Sequence, residues 1–139
     1  MPLLTRLWIK TALVYFVLGL LLGILLTGQS AGIIRLPMQG LFPSYIHFLA
    51  VGWVSQLIIG VVFWMFPKYT QEKPRRSDAL GWLTYISLNL GLALRLVGEP
   101  LHATTNAAWA GWLMAGSALL LLAAGVAFVV NTWGRVKEK

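Results

Sequence analysis

Cysteine is absent from this chain of 139 residues, and histidine occurs only twice. Without thiols the chain cannot form disulfides, thiolate metal sites, iron–sulfur clusters or a cysteine nucleophile, so a bound metal would need histidine, methionine or oxygen ligands. Acidic residues number only four, and charged residues make up 11% of the sequence against 58% hydrophobic residues. This balance lies outside the range of soluble domains and indicates that lipid surrounds most of the chain.

Four apolar segments of near-membrane length account for most of the sequence. They cover about residues 11–27, 44–66, 79–98 and 107–133. The third segment is expected to end at Gly98, because a glycine followed by Pro100 is a typical helix stop. We therefore predict an all-α protein, an integral membrane four-helix bundle, with residues 1–139 as a single transmembrane domain. A cleavable signal peptide is the competing interpretation of the first segment, but no Ala-x-Ala site closes it.

The distribution of basic residues predicts the orientation in the membrane. Nine of the eleven Lys and Arg residues lie before the first segment, between the second and third, or after the fourth. The positive-inside rule places these regions in the cytoplasm, so both termini are expected to be cytoplasmic, in a multi-pass protein of the cell inner (plasma) membrane. Topology thus accounts for the net charge of +7, and no nucleic-acid partner is expected.

His47 begins the second segment in the apolar setting Tyr45-Ile46-His47-Phe48-Leu49, near the expected outer edge of the hydrocarbon. An ionisable group at that depth is unusual and needs a partner. A neutral imidazole in apolar surroundings is a good axial ligand for haem iron. The alternative is a histidine at a helix start that hydrogen-bonds a loop carbonyl. The residue alone leaves both interpretations open.

The second segment, HFLAVGWVSQLIIGVVFWMFP from His47 to Pro67, resembles the second transmembrane helix of subunit I in the haem–copper oxidase and nitric oxide reductase superfamily, especially in its short four-helix relatives. In the large subunits this helix carries, at its outer end, a histidine that ligates a low-spin haem. The resemblance implies that His47 is an axial ligand of a b-type haem. The third segment, from Leu80 to Arg95, is similar to the next helix more loosely, so the resemblance covers about half of the chain.

The chain also departs from that superfamily. Oxygen or nitric oxide reduction there needs further histidines for a second haem ligand, a high-spin haem and a copper or iron centre, whereas this chain has two histidines in total. The predicted spans contain no Asp, Glu or Lys, since Glu72, Asp78, Glu99 and Glu138 lie outside them. A single chain thus lacks a haem–copper active site, so no copper is expected within it, and enzymatic activity stays an open question.

Two further residues could contribute to a haem site on the outer side. His102 lies in the predicted loop before the fourth segment and is a candidate second axial ligand, within the chain or across a subunit interface; otherwise it is a solvated loop histidine. Arg95 is the only basic residue inside a segment and is a candidate partner for a haem propionate. Its alternatives are snorkelling to lipid headgroups and an ion pair with Glu99 at i+4.

Small residues recur at helical spacing, which predicts close helix packing in a membrane. The rows are Tyr15, Gly19, Gly23 and Thr27; Gly52, Gln56 and Gly60; and Gly111, Ala115, Ala118 and Gly125. Gln56 and Asn89 lie near the expected middle of the membrane and should hydrogen-bond between helices or to a backbone carbonyl. The seven tryptophans are expected near the interfaces as anchors.

His47 and the resemblance together predict a membrane-embedded b-type haem protein for electron transfer or small-gas (O2 or NO) binding. Superfamily subunit I has twelve helices in three arcs of four, which implies a homo-oligomer here, with three copies forming a ring, and a quinone or cytochrome as redox partner. The alternative is a cofactor-free scaffold or accessory subunit of a respiratory membrane complex, favoured by the scarcity of polar groups. A small transporter is disfavoured because no segment is broken at its middle.

Overall fold

The computed structural model describes residues 1–35, 39–105 and 107–136, and within them the chain is helical and contains no strand. Four helices follow one another along the chain: α1 (Leu3–Ser30), α2 (Leu41–Met65), α3 (Asp78–Thr105) and α4 (Ala108–Trp133). Each of them is long and apolar enough to cross a membrane. The predictions of an all-helical fold and of four membrane-length helices are therefore confirmed.

Helix α2 begins at Leu41, before the predicted start at residue 44. Pro43 does not prevent this, because a proline in the first turn has no intrahelical N–H bond to lose. Gly40 precedes the helix with φ +79°, in the left-handed region that favours glycine. A Cβ at Gly40 would also lie 2.6 Å from the Glu99 carbonyl oxygen, so the backbone of this turn sits directly on α3.

The middle of α2 is a π-helix, Phe48–Ser55, between α-helical turns on either side. Its wider turns bond each N–H to a carbonyl five residues back, and Ser55 Oγ also donates to the Ala50 carbonyl, five residues back, at 2.8 Å. Insertions of this kind are frequent at functional sites. Here the π-helix begins at the residue after His47.

Helix α3 runs through Gly98 and Pro100 to Thr105, so the predicted stop at Gly98 is wrong. Proline removes one backbone bond, whereas ending the helix at Gly98 would remove the backbone bonds of the whole last turn. The Thr104 hydroxyl donates to the Pro100 carbonyl at 2.8 Å and supports this last turn. Glu99, predicted to lie outside the spans, is therefore inside a membrane-length helix.

The helices pack through the small-residue rows on α1 and α2, and α3 pairs closely with α4. A Cβ on Gly52 would lie 2.6 Å from Tyr15 Cγ, and one on Gly60 would lie 2.6 Å from Trp8 Cβ, so both glycines allow α2 to approach α1. The Ser117 hydroxyl donates to the Gly91 carbonyl at 2.7 Å across the α3–α4 contact. The buried core comprises Leu4, Trp8, Phe63, Leu88, Leu92 and Ala124.

One end of the bundle, here called the basic end, holds the starts of α1 and α3, the 66–77 loop and the end of α4. Arg135 is 2% exposed and donates from Nε to the Pro67 carbonyl at 3.1 Å and from Nη2 to the Phe66 and Phe63 carbonyls at 2.9 and 3.3 Å. These carbonyls are left without helical partners where α2 ends. Burial, and secondarily the charge of Arg75, lowers the pKa of the Arg135 guanidinium.

At the basic end, two hydrogen bonds join the side-chain amide of Asn131 on α4 to the backbone of Ser77, the residue before α3. Asn131 Nδ2 donates to the Ser77 carbonyl at 3.0 Å, and the Ser77 N–H donates to Asn131 Oδ1 at 3.1 Å. Ser77 Oγ in turn accepts from the Leu80 N–H at 3.2 Å, which caps the start of α3. The N- and C-terminal segments thus share this end. The opposite end, where α2 begins and α3 finishes, is called the distal end.

Candidate functional site

Four polar side chains meet at the distal end, where the first turns of α2 pack on the last turns of α3. We call Ser44, His47, Arg95 and Glu99 the distal cluster. Ser44 and His47 lie three residues apart on α2, and Arg95 and Glu99 lie four apart on α3, so each helix presents its pair from one face. The distal cluster therefore combines one imidazole, one hydroxyl and an ion pair within a mainly apolar bundle.

Glu99 is the most buried charged member of the distal cluster, with its side chain 2% exposed. Arg95 Nη1 donates to Glu99 Oε1 at 2.8 Å, which confirms the i+4 ion pair that the sequence left as one alternative for Arg95. The Ser44 hydroxyl donates to Glu99 Oε2 from the neighbouring helix. Both carboxylate oxygens therefore have donors, as an ionised group removed from water requires.

His47 stands at the edge of the distal cluster. Its Nδ1 lies 2.8 Å from the Pro43 carbonyl oxygen, which can only accept, so Nδ1 carries the hydrogen. In the neutral ring the lone pair is then on Nε2, the nitrogen available to a metal. The ring is 28% exposed, and Nδ1 lies 4.0 Å from Glu99 Oε1. The contact matches the sequence alternative of a carbonyl-bonded histidine, although the carbonyl belongs to the helix and not to a loop.

These features fit an axial haem ligand. A ligating histidine commonly donates its other ring N–H to a carbonyl or carboxylate, which fixes its orientation and raises its basicity. His47 has a carbonyl in hydrogen-bond contact and a carboxylate slightly farther away. The His47 side chain as a whole is partly exposed, at 28%. The donor set present is thus one imidazole nitrogen, which suffices for one axial position and not for a bis-histidine site.

Arg95 retains donor capacity after its bond to Glu99. Its side chain is 17% exposed, and its Nε is buried without a hydrogen-bond partner among the described residues. A guanidinium has five N–H donors in a planar fork, so one carboxylate at Nη1 does not exhaust it.

His102 does not join the distal cluster. It lies in the last turn of α3, not in the predicted loop, and is exposed. Within residues 1–35, 39–105 and 107–136 it takes part in no hydrogen bond or ion pair. The same described residues contain no group of three or more His, Asp or Glu side chains that could hold a metal ion.

An open groove of about 790 Å³ lies on another side of α2, against the last turns of α1. Its polar lining residues are Thr27, Gln29, Ser30 and Tyr45, the other lining residues are apolar, and none of the distal cluster contributes to it. Tyr45 and His47 are two positions apart on one helix, so their side chains point in nearly opposite directions. The groove is therefore separate from the face that presents the His47 ring.

The second polar feature of the bundle is Gln56, the first residue after the π-helix. It is fully buried, yet neither Nε2 nor Oε1 has a hydrogen-bond partner among the described residues, so the predicted interhelical bond is not formed there. Asn89 meets its expectation, since its Nδ2 donates to the Tyr85 carbonyl at 2.8 Å. A buried amide without partners costs free energy, so Gln56 lowers the stability of the folded bundle.

Comparison with known proteins found no match to this chain among protein-family models, curated proteins or solved structures. The resemblance to haem–copper subunit I therefore depends on the residue pattern of the second and third helices alone.

Sequence reasoning identified His47, Arg95 and His102 as site residues but missed Ser44 and the burial of Glu99. The i+4 spacing of Arg95 and Glu99 could have indicated the position of Glu99. Such a pair forms on one face of a helix, which means that the helix continues past Gly98. Ser44 carried no comparable signal, since its partner lies 55 residues away in the sequence.

Proposed function

We propose that this chain is a membrane-embedded b-type haem protein, with His47 as axial ligand, that serves electron transfer or small-gas binding. The observation that supports it is the bond between His47 Nδ1 and the Pro43 carbonyl, which orients the ring and leaves the Nε2 lone pair for iron. Bound haem would supply a one-electron ferric–ferrous couple and, where one axial position is open, a site for O2 or NO. The resemblance around His47 favours haem over other iron-containing cofactors.

In this proposal Arg95 binds a haem propionate through donors that Glu99 does not use. The Arg95 side chain is 17% exposed, and a guanidinium can bind a carboxylate with two parallel hydrogen bonds. His102 is assigned as a second axial ligand only across a subunit interface, because it is exposed and makes no bond to the distal cluster in the described structure. A single copy would then supply one axial ligand, His47.

The proposal includes a multi-pass position in the inner membrane, with the basic end in the cytoplasm. The start of α1, the 66–77 loop and the end of α4 share that end, and the sequence segments that contain them hold most of the Lys and Arg residues, as the positive-inside rule requires of a cytoplasmic face. We further propose a homo-oligomer, with three copies forming a ring of twelve helices and a quinone or cytochrome as redox partner. Cross-linking in mild detergent that yields only monomer or dimer would count against the ring.

The experiment that tests haem binding is an absorption spectrum of the full chain, purified in mild detergent after haem is supplied. We expect a Soret band, with α and β bands on reduction, and we expect His47→Ala to abolish all three while the protein stays folded. His102→Ala serves as the matched histidine variant, because it changes the spectrum only if His102 is the second ligand. A wild-type protein that takes up no haem would refute the proposal.

A cofactor-free scaffold or accessory subunit is the second candidate, and the Arg95–Glu99 pair favours it. Together with the bond from Ser44, this pair ties α2 to α3 without any ligand. A scaffold would keep those contacts, show no Soret band and copurify with the other subunits of a larger complex. The same spectrum therefore separates the two candidates.

A further inference from the structure

The carboxylate of Glu99 lies beside the same nitrogen of His47 that donates to Pro43. Its Oε1 is 4.0 Å from His47 Nδ1, beyond hydrogen-bond distance but close enough for a strong electrostatic effect at a site where little water screens it. Arg95 at 2.8 Å and Ser44 hold the carboxylate in place, one on each oxygen. The carboxylate cannot turn away from His47 without breaking at least one of these bonds.

We propose that Glu99 is a positioning residue for His47, keeping the hydrogen on Nδ1 and making Nε2 a stronger electron-pair donor toward haem iron. This inference rests on the proposed function. A negative charge beside Nδ1–H favours that tautomer and raises the basicity of the opposite nitrogen. A more basic axial imidazole stabilises ferric over ferrous iron. Glu99 therefore lowers the midpoint potential of the haem that His47 binds.

The first measurement is a redox titration of the haem-loaded protein, comparing Glu99→Gln with Glu72→Gln. Both substitutions remove one carboxylate charge, but Glu72 is exposed in the 66–77 loop at the opposite end of the bundle. We expect Glu99→Gln to keep the Soret band and raise the midpoint potential, with a loss of ferric preference on the order of tenfold, which is about 59 mV for one electron. Glu72→Gln should leave the potential at the wild-type value.

The second measurement needs no haem. The chain has two histidines, so nitrogen-15 NMR of a His102→Gln background reports the His47 ring alone. We expect the Nδ1–H tautomer to dominate, and Glu99→Gln to shift the population toward Nε2–H. If Glu99→Gln does not fold because Arg95 loses its counter-ion, the double variant Arg95→Gln, Glu99→Gln removes both charges and should shift the tautomer population in the same direction but less, because the positive charge of Arg95 opposes that of Glu99.

The outcomes separate the two proposals. A potential and a tautomer population that match those of Glu72→Gln would overturn the role of Glu99, while a Soret band dependent on His47 would leave the haem proposal standing. A wild-type protein without haem uptake would instead overturn the proposed function. In that case an unchanged tautomer in Glu99→Gln would overturn the positioning role as well, and a shifted one would show that Glu99 sets the ring state without a cofactor.

Discussion

The contact between α1 and α2 can be tested with a single added methyl group at Gly60. An alanine Cβ at this position would lie 2.6 Å from Trp8 Cβ, far inside van der Waals contact. Trp8 is fully buried, and its Cβ is fixed to the backbone of α1, so neither side can yield by a rotamer change. The helices must separate, and overpacking of this kind costs about 1–3 kcal/mol of the free energy of unfolding.

Gly125→Ala is the matched control, because the same methyl group meets nothing within 4 Å on the exposed side of α4. Alanine is better than glycine inside a helix by about 0.5–1 kcal/mol, since glycine loses more backbone freedom on folding. The two substitutions should therefore change stability in opposite directions. Gly60→Ala has the same backbone gain, which therefore cancels, and the difference between the two variants is expected to be the overpacking cost alone, roughly 1–3 kcal/mol.

The assay is equilibrium unfolding of the full chain in mild detergent, followed by tryptophan fluorescence and circular dichroism. A Gly60→Ala protein as stable as the wild type would refute the described approach of α1 and α2. A destabilised Gly125→Ala protein would refute the openness of that side of α4 and indicate that a second copy covers it. Repeating the measurement at two protein concentrations separates these cases, because only an intermolecular contact makes the loss concentration-dependent.

Two further substitutions test the polar groups of the core in the same unfolding assay. Arg135→Gln is expected to cost about 2–4 kcal/mol, because three carbonyls at the end of α2 lose a charged donor. Arg6→Gln, on the exposed start of α1, should cost little, and equal losses in both would contradict the capping role. Gln56→Leu is expected to raise stability by about 1–3 kcal/mol, because it removes two unpaired buried polar atoms. A loss of stability would instead mean that Gln56 has a partner outside this chain.

The number and class of the helices could be predicted from the sequence, because hydropathy over membrane length is a strong signal. The helix ends were predicted less well. In soluble proteins, prolines such as Pro43 and Pro100 usually mark helix boundaries. Unpaired backbone groups cost more free energy in apolar surroundings. Both prolines lie inside helices here. Trp8 shows the related error for side chains, since it was expected near an interface and is a fully buried core residue.

The sequence predicted only part of the candidate site. The residues that it missed follow from the wrong end predicted for α3. Ending α3 at Gly98 removed Glu99 from the helix and placed His102 in a loop. The contacts of Glu99 with Ser44 and His47 join residues about fifty positions apart, and no local pattern encodes them. The glycines of the predicted rows on α1 and α2 mark close approaches between helices, whereas Gly111 and Gly125 of the predicted row on α4 meet nothing within 4 Å in the described structure.

Stability alone is a poor explanation for the charges of the distal cluster. A buried ion pair loses much of its attraction to the cost of removing both ions from water, and replacing such a pair with apolar side chains is often neutral or stabilising. An apolar pair at positions 95 and 99 would therefore hold α2 against α3 at least as well as Arg95 and Glu99 do. What it could not supply is a fixed negative charge 4.0 Å from the imidazole nitrogen of His47. The proposed action of Glu99 on His47 gives the pair a purpose that helix packing does not.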